Sequence, residues 1–349
     1  MHLEKLIHWS KSEFPHLPWR QNRSLYRTLV SEIMLQQTTV GTVKNHYERF
    51  LQEFPDLKSL ALASEEELLI AWKGLGYYRR AKNLKKISEA LYNDHEGEFP
   101  HDLNALQEIP GIGPYTASAL VAIGMDRPAL AVDANLERVI ARLYGLKEEK
   151  GLKLQKKIRE LFETKKIFSD KKISYRALNE ALMDLGRTFC QARKASCELC
   201  PLKSECHAFK SKKPLQYPVE KNELKKPTQE HELHLLRVIV KKENKILAYK
   251  KMDGQWLAGQ YDLPTLLVSS TDKKLSQYPE LKAKINQQNL QKFKTGITKY
   301  NIINHILVTS QKELKRLGFD SDLEWRDMKD KKSNLSTASL KALAKIIDY

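Results

Sequence analysis

The sequence predicts a mainly α-helical domain followed by a smaller α/β module, and three observations carry that prediction. From Leu3 to about Phe209, apolar residues recur three and four apart in short segments separated by brief Pro/Gly loops. A Pro- and Lys-rich tract from 210 to 230 lacks any such period. Beyond it, apolar runs of strand length take over. The expected organisation is therefore a helical domain over 1–209, an exposed linker over 210–230 and a second domain over 231–349.

The elements follow in order. Leu25/Leu29/Ile33 and Leu84/Ile87/Leu91 mark helix faces, with loops at Phe99-Pro100 and Ile109-Pro110-Gly111. The first of these helices, starting near Tyr26, is expected to continue through Ser31-Glu32-Ile33-Met34-Leu35-Gln36-Gln37-Thr38. After Pro214, Pro218 and Pro227, His234–Val240 and Lys245–Tyr249 read as strands joined by a turn at Glu243-Asn244. Asn301–Thr309 reads as a further strand and Ser336–Ile347 as a closing helix, whereas 269–293 is too polar to assign.

Composition narrows the class of partner. Sixty Lys and Arg stand against 43 Asp and Glu, a net charge of +17, with a pI near 9.5. That surplus suits a polyanion, nucleic acid before anionic membrane, although a lysine-rich proteome gives the same balance. No apolar run approaches the roughly 20 residues that span a bilayer. The opening Met1-His2-Leu3-Glu4-Lys5 has no apolar leader and is expected of a chain that works inside the cell under reducing conditions.

All four cysteines fall in one cluster, Cys190-x6-Cys197-x2-Cys200-x5-Cys206. Four thiolates can hold one zinc ion or an iron-sulfur cluster, and two disulfides are the covalent alternative. A reducing compartment disfavours the disulfides. Only Cys197 and Cys200 form a short knuckle, and the unequal flanking gaps are not the paired knuckles usual for zinc.

Three further segments carry possible chemistry. Ile109-Pro110-Gly111-Ile112-Gly113-Pro114-Tyr115 places two glycines before a helix start, which suits backbone N–H groups approaching a phosphate. Asp133 precedes an apolar helical run and fits an N-cap as well as a functional carboxylate. Glu32 borders the apolar stripe of its helix and Gln37 falls within it; a carboxylate against apolar surface has its acid form favoured, as a proton donor needs.

Taken together, Ser31–Thr38, Gly74-Leu75-Gly76-Tyr77-Tyr78, the Pro110–Gly113 hairpin, Asp133-Ala134-Asn135 and the cysteine cluster occur in the order found in the helix-hairpin-helix DNA glycosylases. Within that superfamily the chain resembles the MutY-type adenine DNA glycosylases. The resemblance implies a bilobal helix-hairpin-helix domain closed by one 4Fe-4S cluster on Cys190, Cys197, Cys200 and Cys206, then a Nudix-like domain. It implies release of adenine mispaired with 8-oxoguanine or guanine in double-stranded DNA. The implied enzyme is a monomer with no membrane partner, cytoplasmic and associated with the nucleoid through DNA. Glu32 matches the family's acid/base and Asp133 the carboxylate that stabilises the sugar cation. Trp19, Tyr115 and Glu180 are expected to line the adenine pocket. Gln37 and Tyr77 are expected to enter the duplex, with Gly111, Gly113, Arg193 and Lys194 on the DNA backbone.

Two departures refine the expectation. Strand-cleaving relatives carry a nucleophilic lysine just after the hairpin glycines, where this chain has Tyr115; a phenol forms no Schiff base, so a monofunctional enzyme is expected. In the second domain, Gln255–Pro264 is the clearest Nudix-like trace, but no REx2EE metal-binding helix follows it, which implies recognition without hydrolysis. The family's 8-oxoguanine-reading Phe-Ser-His string is best matched by Ile303-Asn304-His305, with Asn304 and His305 as the expected contacts.

Overall fold

A computed structural model describes residues 3–168, 173–219, 231–286, 289–297, 299–328, 330 and 333–347. The chain divides into two compact units, residues 1–63 with 74–222 and residues 64–73 with 223–349.

The first unit holds α1 (Leu3–Glu13), α2 (Leu25–Leu35), α3 (Val40–Glu53) and α4 (Leu57–Leu62). Helix α5 (Glu65–Ala71) belongs to the second unit. The first unit resumes with α6 (Arg79–Asp94), α7 (Leu103–Glu108), α8 (Pro114–Ala119), α9 (Ala134–Tyr144), α10 (Leu152–Glu163), α11 (Tyr175–Thr188) and α12 (His207–Lys210). Side-chain caps start most of these helices: Ser24 accepts from the Arg27 N–H, Thr39 from Thr42, Asp102 from Asn104 and Ala105, and Ser174 from Ala177.

Two lobes result. Helices α2, α3, α4, α6, α7 and α8 pack together, burying Leu29, Ile33, Leu60, Leu84, Ile87 and Leu91. In the other lobe, Leu136 and Ile140 of α9, Leu154 and Ile158 of α10 and Leu182 and Leu185 of α11 form one core with Leu3 and Leu6 of α1. A π-helical turn, Leu120–Gly124, continues α8 and packs on both α2 and α11, so it ties the lobes together.

Three boundaries differ from the sequence reading. Helix α2 stops at Leu35, because Thr39 caps the next helix and leaves Gln36–Thr38 as the connection. Residues 64–73 leave the helical unit, with Arg326 Nη2 on Glu66 Oε1 at 2.9 Å. The tract expected to be a free linker from residue 210 stays on the first unit as far as Val219. There Lys150 donates its N–H to the Val219 carbonyl at 3.0 Å, and Arg142 Nε donates to the Tyr217 carbonyl at 3.0 Å. A Pro-rich stretch without apolar period can still be fixed through its carbonyls. The rest of that tract, 220–230, lies outside the described residues.

The second unit contains β1 (His231–Ile239), β2 (Lys241–Lys242), β3 (Lys245–Lys250), β4 (Tyr261–Asp262), β5 (Thr265–Ser270), β6 (Gln291–Ile297), β7 (Tyr300–Val308), α13 (Gln311–Arg316), β8 (Glu324–Asp327) and α14 (Thr337–Ile347). One sheet has the order β5-β1-β7-β6, with β1 and β7 parallel from His231↔Tyr300 to Ile239↔Val308. The other joins β2, β3 and β4, with β8 on β3. Strand β6 enters the tract that resisted assignment. None of its residues is fully buried, and only Phe293, Thr295 and Ile297 on one face are partly covered, so its apolar period is weak.

A buried ion cluster ties the two sheets. Arg237 Nη1 of β1 donates to Asp262 Oδ1 of β4 at 2.7 Å, Ser336 Oγ donates to the same oxygen at 2.7 Å, and Ser339 Oγ donates there too. Lys251 Nζ stands 3.7 Å from Asp262 Oδ2. Burial alone would raise the Asp262 pKa, but the Arg237 and Lys251 cations outweigh it and hold the carboxyl below the usual aspartate range. Asp262→Ala strands two buried cations and is expected to cost about 3–5 kcal/mol. Urea denaturation followed by hydrogen exchange in β1 and β7 measures that loss.

Candidate active site

A cavity of about 1210 Å³ opens in the first unit between α2, the α7–α8 hairpin and the start of α9. Trp19, Glu32, Gln37, Gly111, Gly113, Tyr115, Asp133 and Glu180 all line it, so eight of the sequence candidates converge. Glu32 comes from the penultimate turn of α2, Tyr115 from the first turn of α8, and Asp133 caps α9.

Glu32 is 4% exposed. Tyr115 donates its hydroxyl to Glu32 Oε2 at 2.5 Å. Burial pushes the Glu32 carboxyl up to about 7, the Tyr115 bond opposes that rise, and the nearby Asp133 and Glu180 carboxylates add to it. Burial also drives the Tyr115 phenol well above its ordinary range, so it stays a donor. With one oxygen of Glu32 occupied by the phenol, the other is left to carry or receive a proton near neutrality.

Asp133 is held differently. Its Oδ1 accepts the N–H of Asn135 at 2.9 Å and of Leu136 at 2.8 Å, and its Oδ2 accepts Asn135 Nδ2 at 2.9 Å. Burial raises its pKa, while these donors and the Arg138 charge pull the other way. The contacts continue along one side of α9: Arg138 Nη2 donates to Asn135 Oδ1 at 2.8 Å and its Nε to the Cys190 carbonyl at 2.7 Å. Gly186 allows this close approach, since a Cβ there would lie 2.8 Å from that of Asn135. The capping carboxylate and the cysteine loop are thus joined through side chains of a single helix.

Glu180 is paired with Arg23 at 2.7 Å and Arg20 at 3.6 Å. Arg20 also reaches Asp184 Oδ2 at 2.8 Å, and Arg187 Nε reaches Asp184 Oδ1 at 3.0 Å. Arg20, Asp184 and Arg187 line the cavity and were not anticipated. Their signal was present: Asp184 and Arg187 lie four and seven residues after Glu180 on one face of α11, and Arg20 adjoins Trp19.

Gln37 is past the end of α2 and exposed, not on an apolar stripe, with φ 56°. Tyr77 is 57% exposed, with φ 47°, and does not line the cavity. Of the two hairpin glycines only Gly111 is sterically required: its φ is 102°, and a Cβ would meet Asn83 Oδ1 at 2.5 Å, whereas Gly113 has open space. Arg193 and Lys194 are exposed on a hairpin closed by the Cys190↔Ala195 bridge.

The cysteines are unpaired with one another. Burial raises Cys200 to about 12, and the other three thiols add to that rise, which places the four as neighbours. Among the described residues no group of three His, Cys, Asp or Glu side chains converges as a single ion requires. In the second unit, Asn304 and His305 are buried at 0% and 2% exposure. Asn304 Oδ1 accepts from Arg237 Nε at 2.7 Å and its Nδ2 donates to Thr295 Oγ1 at 2.9 Å. His305 Nε2 lies 3.2 Å from His234 Nδ1. Expected as contacts to a lesion, both side chains are instead built into the interior of this unit, because β7 is a central strand.

Residues 30–164, from α2 to the end of α10, match the family described as HhH-GPD superfamily base excision DNA repair protein. The matched span includes Glu32, the hairpin and Asp133, and ends before Glu180 and the cysteines. The chain is 35% identical over 218 residues to an adenine DNA glycosylase of Buchnera aphidicola subsp. Acyrthosiphon pisum, covering 62% of this chain and 61% of that protein. It is 30% identical over 242 residues to the adenine DNA glycosylase of Buchnera aphidicola subsp. Schizaphis graminum, covering 69% and 65%. It thus spans under two thirds of the length of these relatives. Among solved structures, a thermostable thymine-DNA glycosylase superposes with a TM-score of 0.52 at 28% identity, over 60% of this chain and 95% of that one.

In this site the Tyr115 hydrogen bond restrains the Glu32 pKa against burial and two carboxylates. Tyr115→Phe is therefore expected to raise the Glu32 pKa further. Carboxyl-carbon NMR titration of Glu-labelled protein checks the direction.

Proposed function

We propose that this chain is a monofunctional adenine DNA glycosylase of base excision repair, acting on adenine opposite 8-oxoguanine or guanine in duplex DNA. The observation that carries the reading is the pairing of a buried, near-neutral Glu32 with a hydrogen-bonded Asp133 in one cavity. Similarity to adenine DNA glycosylases supplies the base, and the net charge of +17 suits the polyanionic partner. Among the described residues no helix is long and apolar enough to cross a membrane. The proposed enzyme acts as a monomer, in the cytoplasm and at the nucleoid.

The chain's own residues divide the reaction. Adenine must leave the stack to reach the cavity, at a cost of roughly a few kcal/mol that a mispair lowers. Glu32 gives its proton to a ring nitrogen of adenine, so the pair of electrons in the glycosidic C–N bond departs on a neutral base. The sugar is left as an oxocarbenium ion, which the Asp133 carboxylate stabilises. Glu32, now ionised, takes a proton from the water that adds to the sugar carbon. Tyr115 holds Glu32 in place throughout and offers no amine, so the product is an abasic site with the strand intact. Trp19 and Glu180 line the base pocket, and Gly111, Gly113, Arg193 and Lys194 are assigned to the DNA backbone.

A 4Fe-4S cluster on Cys190, Cys197, Cys200 and Cys206 completes the reading. Four neighbouring thiols fit that group, and Arg142 Nη1, 3.3 Å from Cys190 Sγ, places a cation against their charge. When bound, the cluster supplies a rigid crosslink for the loop that presents Arg193 and Lys194. The second unit is assigned to lesion recognition as a Nudix-like domain; with Asn304 and His305 in its interior, they would act on the recognition surface from behind.

Glu32→Gln is expected to lower single-turnover adenine release by at least about a hundredfold while leaving duplex binding in place. Unchanged release removes Glu32 from the mechanism. The wild-type rate should fall as pH rises through about 7, where Glu32 loses the proton it donates. It should also fall in acid, above the ordinary aspartate range, as Asp133 becomes neutral. A single-turnover pH profile reads both limbs. Strand scission is expected only after alkali, and borohydride-trapped adducts as strong as those of a lyase would contradict the monofunctional assignment.

A further inference from the structure

Arg80, in the first turn of α6, binds two loops that are distant in sequence. Its Nη1 donates to the carbonyls of Ile33 at 2.9 Å, Met34 at 2.8 Å and Gln36. Its Nη2 donates to Thr38 Oγ1 at 2.8 Å, Leu75 O at 3.1 Å and Gly76 O at 3.3 Å. One edge of the guanidinium thus closes the C-terminus of α2, where carbonyls have no partner within the helix, and the other holds the loop before α6. Each loop carries a non-glycine residue in the left-handed region, Gln37 at φ 56° and Tyr77 at φ 47°. Such backbone is unfavourable alone and persists where surroundings enforce it. The Arg80 guanidinium carbon also lies 5.5 Å from the Tyr77 ring centroid. Three residues along α6, Asn83 Nδ2 donates to the Gly111 carbonyl at 2.9 Å, so the same helix fixes the hairpin as well.

We propose that Arg80 is a positioning residue that locks the Gln36–Thr38 and Leu75–Tyr77 loops into one rigid edge, so that Gln37 and Tyr77 enter distorted duplex as a pair. This rests on the glycosylase reading above. The task belongs to the planar fork and not to the charge. A lysine ammonium is a single point with three donors and cannot span carbonyls on two loops. Arg80 therefore governs discrimination between mispaired and matched duplex, while general attraction to DNA comes from the many other cations.

The test measures affinity for A:8-oxoguanine and fully matched duplexes in a Glu32→Gln background, together with 2-aminopurine fluorescence at the flipped position and thermal unfolding. Arg80→Lys is expected to weaken mispair binding by roughly tenfold and matched binding by less than about twofold, and to reduce the fluorescence rise. Mispair affinity like that of Arg80 would show that charge suffices and overturn the proposal. Equal weakening on both duplexes with a lowered unfolding midpoint would also overturn it, as a merely structural effect. Thr38→Val removes one bond of the clamp without a charge or a large change of shape. It is expected to lose about threefold in discrimination at an unchanged midpoint, and wild-type discrimination in this variant would overturn the proposal even if Arg80→Lys fails to fold. Failure of the Arg80 protein itself to prefer the mispair would instead overturn the glycosylase reading.

Discussion

The burial of one carboxylate organises the helical unit. Glu32 sits where water cannot stabilise its charge, beside two further acids, and its single phenolic hydrogen bond keeps the proton within reach of neutrality. Much around it serves that arrangement. The apolar face of α2 carries Glu32 into the interior, the hairpin sets Tyr115 against it, and the start of α9 brings a second carboxylate from the other lobe. The two acids are separated by environment: among the described residues one has Tyr115 as its donor, while the other is saturated by backbone and amide N–H groups.

The fold was legible wherever one face of an element is buried. Leu25/Leu29/Ile33 announced α2, and the run from His234 to Val240 announced a strand. Legibility ended where backbone bonds outweigh pattern. Gln36–Thr38 continues the apolar rhythm of α2, yet the helix stops, because Thr39 caps its successor and Arg80 takes the open carbonyls. The Pro-rich tract up to Val219 is held by carbonyl contacts that no hydropathy pattern encodes.

The site divides in the same way. Glu32, Asp133, Tyr115 and the cysteines belong to compact strings whose chemistry is local, so they could be named from the chain. Arg20, Asp184 and Arg187 act through partners more than a hundred residues away or across a helix face; the α11 spacing was visible in the chain, but the pairing with Arg20 was not. Asn304 and His305 show the opposite error. A polar pair in a strand looks available, but a central position between β1 and β6 commits it to the interior, where Arg237 and Thr295 satisfy the amide.

The discontinuous second unit has a consequence for synthesis on the ribosome. Helix α5 emerges about 150 residues before Glu223, where the rest of its unit begins. At roughly 5–20 residues per second, the nascent chain carries Leu68 and Leu69 for some tens of seconds before their unit is complete. During that interval α5 is a short amphipathic segment without its finished core, which makes it a natural handle for a chaperone and a weak point in a prematurely terminated chain. Release of a fragment ending near Val219 would leave the helical unit with its carboxylates in sequence but carrying α5 without the rest of the second unit.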